Sequence, residues 1–171
     1  MNDIDLNEEL QTLVASLHDE DGLQRQWARL TLVKIGRPAV PYLISTLSDS
    51  DKHARWEAAE ALAVIRDPTA AAVPVQRLKD DDMDVRWAAS RALIALDRAA
   101  LPPLLEALVT DFSSPRLRHG AHHILHVLKD VGRLREEEIK VFELLHSVFP
   151  KIEALPWQAE AALKALGRVA D

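Results

Sequence analysis

The sequence predicts an all-α fold, an α-solenoid (α–α superhelix) of about five helix pairs, and three observations carry that expectation. First, five short apolar blocks recur, ending at Leu17, Leu47, Leu78, Leu108 and Val148, in steps of 30, 31, 30 and 40 residues. Self-similarity at this period marks stacked repeats. Second, each block precedes a polar turn and then an Ala-rich block, centred on Ala28, Ala58, Ala89, Ala121 and Ala159. Third, the nine prolines fall between blocks or in first turns, where a missing N–H costs little. No segment reads as a strand.

The elements follow in order from the apolar stripes. Val85, Ala89, Ala92, Leu93 and Leu96 share one helical face, as do Ala54, Ala58, Ala61, Leu62 and Ile65. Leu117, Ala121, Ile124, Leu125 and Leu128 repeat the spacing. Helices are expected at 7–18, 22–36, 39–48, 52–66, 70–80, 83–97, 100–110, 115–129, 136–149 and 156–169. They group into repeats at 5–36, 38–67, 69–98, 99–129 and 136–169 of one domain spanning 1–171. An insertion over 129–136 accounts for the long step, either as a spacer before a divergent capping repeat or as a lip on the surface beside it. Asn7, Glu8, Glu9, Gln11 and Thr12 give the first helix a polar cap.

Composition narrows the function. Apolar residues make up 48% and charged residues 28% of the 171, which is globular composition. With 21 Lys+Arg against 27 Asp+Glu the net charge is −6, which weighs against nucleic-acid or anionic-membrane binding. There is no cysteine, so thiolate metal sites, disulfides and Cys nucleophiles are excluded. The N-terminal residues are acidic where a secretory signal is basic, and no apolar run reaches the length of a membrane span. A cytoplasmic protein is expected.

A further regularity carries a family resemblance. An Asp after the first helix precedes an Arg in the second by six positions in Asp19/Arg25, Asp49/Arg55 and Asp80/Arg86. A fourth copy, Asp111/Arg118, is one residue longer, and the fifth repeat lacks the pair. With the segments ARWEAAEAL (54–62) and VRWAASRAL (85–93), this resembles the HEAT repeat, in particular the type named after phycobilisome lyases. The resemblance covers about residues 10–128 well and 136–169 loosely. It implies a right-handed superhelix, a structural Asp–Arg ladder, and second helices on the concave side where partners bind.

Helical geometry sorts the faces. At about 100° per residue, Trp87, Ser90, Arg91 and Ile94 fall opposite the Val85 stripe. The matching positions in the fourth repeat are His119, His122, His123 and His126. The Trp87 position reads Gln26, Trp56, Trp87, His119 and Trp157 along the array, an expected row on the concave surface. Two readings are open and compatible: the rings cover the seam between repeats, or they anchor a partner. The expected partner surface is Trp56, Trp87, Trp157, His119, His122, His123 and His126, with Glu60 and Arg91 supplying selectivity.

Enzymatic alternatives are weaker. His119/His123 and His122/His126 have the i,i+4 spacing that lets two imidazoles share an ion, with Glu60 or Glu160 as a possible third ligand. No local motif fixes that ligand, and no metal or cofactor is expected. Deoxyhypusine hydroxylases, which share the repeat, hold two irons with His-Glu pairs, and no His-Glu dipeptide occurs here. HEAT-like DNA glycosylases need a basic groove, whereas the second and third groove helices are charge-balanced. A bilin-lyase role rests on the name of the repeat type alone. The expectation is a non-enzymatic scaffold or adaptor that binds a protein or peptide.

Overall fold

The computed structural model describes residues 3–147 and 151–167. Among them the chain is helical, with no strand. The helices are α1 (Asp3–Ala15), α2 (Gly22–Ile35), α3 (Val40–Thr46), α4 (Lys52–Ile65) and α5 (Ala72–Arg77). They continue with α6 (Met83–Ala95), α7 (Leu101–Thr110), α8 (Pro115–Asp130), α9 (Glu136–His146) and α10 (Leu155–Gly167). Val148 and the expected helix ends at 149 and 169 lie outside the described residues. The helices expected at 39–48 and 70–80 are shorter because 3₁₀ turns, Arg37–Ala39 and Pro68–Ala70, lead into them. Each of those turns carries a proline near its start, which fixes φ and removes a donor.

The array is an all-α solenoid. Second helices α2, α4, α6 and α8 pack side by side as an inner layer, while α1, α3, α5 and α7 back them. Alanine makes the inner layer tight: Ala58, Ala59 and Ala61 on α4 and Ala88, Ala89 and Ala92 on α6 are fully buried. Small side chains let helix axes approach closely. The apolar interior forms two clusters that meet at α6, where Ala88 belongs to one and Ala89 and Leu93 to the other.

One turn is built three times and imitated a fourth. Asp21, Asp51 and Asp82 cap α2, α4 and α6, their carboxylates accepting from the N–H of Leu23, His53 and Asp84. Two residues earlier, the carboxylates of Asp19, Asp49 and Asp80 accept from the N–H of those capping aspartates. Arg25, Arg55 and Arg86 then fold back and donate to the backbone carbonyls of residues 19 and 20, 49 and 50, and 80 and 81. The repeated Asp and Arg are therefore not ion-paired within a repeat. The carboxylates reach the preceding repeat instead: Asp49 meets His18 at 3.0 Å, Asp80 meets Arg55 at 2.8 Å, and Asp111 meets Lys79 at 2.7 Å.

The fourth copy corrects the sequence alignment. Arg118 donates to the carbonyls of Phe112 and Ser113, six and five residues back like the others, and Ser114 caps α8. The turn is not one residue longer; Phe112 stands where the earlier repeats have Asp. A backbone carbonyl is available from any residue, so the arginine tolerates the exchange.

The last helix pair departs from the solenoid. α9 packs on α8 and α10 packs on α7, so the order of the layers is exchanged. His122 faces His146 and His126 faces Phe142, a pairing that runs α8 and α9 antiparallel. The chain reverses at Gly132, whose φ of +71° suits the left-handed position after a helix. There Gly132 N–H donates to Lys129 O and Arg133 N–H to Leu128 O. With α7 and α10, these helices make a four-membered ring of short connections, the up-and-down pattern of a bundle. The 40-residue step therefore compares helices that occupy different layers.

Ion pairs fasten the reversal. Arg98, in the turn before α7, makes a paired bond to Glu138 of α9 at 2.8 and 3.1 Å, and Arg133 meets Asp97 at 2.9 Å. Glu138 is buried and also accepts from Arg135 N–H, capping α9. Glu138→Ala is expected to lower stability by about 2 kcal/mol. Hydrogen exchange in α9 and α10 should rise before that of α4 and α6, with urea unfolding measuring the total.

The face of helices α6, α8 and α9

The expected row of rings divides into three environments. Trp56 is half-buried, packs on the core cluster of α2 and α4, and has the Arg29 guanidinium 5.2 Å above its ring. It belongs to the seam. Trp157 is exposed, but α10 lies against α7 and α9, so it does not continue the row. Trp87 on α6 remains 55% exposed and stacks on His123 of α8, with centroids 4.8 Å apart and planes 26° apart. Trp27 on α2, outside the expected row, is exposed as well.

Glu60 and Arg91 satisfy each other. Glu60 is buried and meets Arg91 at 3.1 Å, which ties α4 to α6. Neighbouring Glu57 is also buried, between Arg29 at 3.3 Å and Arg25 at 3.8 Å. Burial pushes its carboxyl above the usual range, against the pull of the two arginines.

Of the two i,i+4 pairs on α8, His122 and His126 meet edge to face with centroids 6.0 Å apart. His123 goes to Trp87, and His126 bonds Asp130 at 3.0 Å. His122 faces His146 of α9, with Nε2 and Nδ1 2.9 Å apart, rings within 5° of parallel and centroids 5.2 Å apart. Nitrogens that close make an N–H···N bond, closer than face-to-face contact allows. Phe142 lies beside both rings, at 5.4 and 5.2 Å, and is itself buried. His119 stays exposed.

Sequence reasoning missed Phe142 and His146, because both lie on a helix assigned to the other layer. Their one signal is the broken period. Among the described residues, no group of three or more His, Cys, Asp or Glu is placed to hold a metal ion. No described helix is long and apolar enough to cross a membrane.

Two clefts flank His119. One, of about 630 Å³, lies between α6 and α8 and is lined by Met83, Arg86, Trp87, Arg116 and His123 among others. The second, of about 430 Å³, lies between α8 and the α9–α10 junction and includes Arg118, His122, Leu145, His146 and Ile152. Such an arrangement offers aromatic and aliphatic surface beside fixed donors, which is the chemistry of recognition.

His122 and His123 are sensitive to pH. Burial lowers the pKa of His122, and His146, His126, His119 and His123 lower it further. Burial lowers that of His123 as well, with His119 and His126 adding to it. A histidine with a depressed folded pKa stabilises the fold above its unfolded pKa and loses that contribution as pH falls. The urea midpoint should fall between about pH 7.5 and about pH 5.5, and His122→Gln with His123→Gln should reduce that fall.

A family model for HEAT repeats matches residues 10–94 and again 40–126. No curated protein matches the sequence. The matched stretch holds every copy of the turn in which an arginine grips two carbonyls, and it ends inside α8, before the helices that exchange layers. The chain belongs to the HEAT-repeat family.

Proposed function

We propose that the chain is a non-enzymatic, cytoplasmic interaction module that holds a partner polypeptide across α6, α8 and α9. HEAT repeats commonly serve as scaffolds for protein interactions, which favours this class. The Asp–Arg spacing supports placement in the lyase-like subtype of the repeat.

The observation that carries the reading is Trp87. A tryptophan that is 55% exposed, yet held by a stacked His123 over an open cleft, is a fixed apolar surface without a partner. Rigid aromatic anchors of this kind dominate interface energetics because little side-chain entropy is lost on contact. Trp56 plays a different part, since its ring is packed against the core and under Arg29.

The two rings separate in experiment. Peptides selected from a random display library on the immobilised protein should lose about 2 kcal/mol of affinity, or more, on Trp87→Ala. The same change should shift folding stability by under about 1 kcal/mol. Trp56→Ala should cost about 2 kcal/mol of stability. Trp27→Ala, on a remote exposed ring, should leave peptide binding unchanged. Selection that returns no binding peptide, or peptides indifferent to Trp87→Ala, would remove this reading.

A further inference from the structure

The electrostatics of the two clefts oppose those of the whole chain. The protein carries a net charge of −6, yet no carboxylate lines either cleft. Arg86 and Arg118 stand along them with His119 between, while Arg116 beside them is paired with exposed Asp81 at 2.8 Å.

The register explains why Arg86 has no carboxylate partner. In the first two repeats the turn-gripping arginine has an acidic neighbour: Arg25 has buried Glu57 at 3.8 Å, and Arg55 has Asp80 at 2.8 Å. At the position from which Glu57 of α4 reaches Arg25 of α2, α8 carries Gly120 and so offers Arg86 of α6 no such acid. Arg86 and Arg118 bond backbone carbonyls and make no ion pair among the described residues. Packing enforces the vacancy at Gly120, where a Cβ would come within 3.0 Å of the Leu78 side chain. A side chain at this position would press on Leu78, so the close seating of α8 favours glycine over an acid there. A guanidinium whose partners are neutral carbonyls keeps its full charge, and its planar fork suits a carboxylate.

The geometry points to a partner segment in which carboxylate side chains alternate with leucine or aromatic ones. This inference rests on the reading of the face as a docking surface and adds the chemistry of its occupant. The carboxylates meet Arg86, His119 and Arg118. The apolar side chains cover Trp87 and Met83 in one cleft and Leu145 and Ile152 in the other. Two unpaired arginines and one imidazole on an acidic protein make a poor phosphate track, Arg116 being paired with Asp81, so a polypeptide is favoured over a nucleic acid.

The test uses a labelled peptide alternating Glu with Leu and Phe, followed by fluorescence anisotropy on the full chain. Two comparison probes are the same peptide with Lys for Glu, and a single-stranded DNA oligonucleotide. His119→Glu is the informative variant, because that side chain is exposed and stands between the two clefts. The acidic peptide should bind, and its affinity should fall as salt is raised. His119→Glu should weaken it by about tenfold or more, and His119→Gln by much less, with circular dichroism unchanged in both. Binding of the lysine peptide in preference, equal binding of the oligonucleotide, or indifference to His119→Glu would overturn the assignment. If library selection yields Trp87-dependent peptides that are neutral or basic, the docking surface stands and only the acidic partner falls.

Discussion

The inner helices α2, α4, α6 and α8 each hold an arginine of their first turn folded back onto two carbonyls of the turn before it. That bond fixes where the helix starts relative to its partner, and so sets the pitch at which one repeat seats on the next. It does not depend on the side chains of the turn, as Phe112 shows by standing where Asp19, Asp49 and Asp80 stand elsewhere. The aspartates do two other things. All three hold the turn through their own carboxylates, and Asp49 and Asp80 also pair with a basic side chain of the preceding repeat. One short motif therefore ties the chain both along and across the stack.

The same device supplies the charge of the candidate site. An arginine anchored by carbonyls is held in place without being neutralised. Wherever the repeat also provides a buried acid, as at Glu57, the positive charge is absorbed into the seam. At that position α8 carries Gly120, and Arg86 is left without a carboxylate partner among the described residues.

The closing ring gives this surface its far wall. By staying in the inner layer, α9 brings Phe142 and His146 against the histidine face of α8. By returning to α7, α10 covers the apolar outer layer with buried Leu155, Ala159 and Ala162.

The all-α class, the helix pairs and the family were legible in the sequence, because helical spacing and repeat period are properties of neighbours along the chain. So was the outward face of α6 and α8, which follows from about 100° per residue. Whether an outward ring meets solvent or another helix was not legible, since that depends on what packs beside it. Trp56 and Trp87 occupy one repeat position, yet one is covered by Arg29 and the other lies open. Layer exchange in the last pair was equally hidden. An identical pattern of apolar residues buries itself in either layer, and only the competition between packing α9 on α8 and packing it on α7 decided between them.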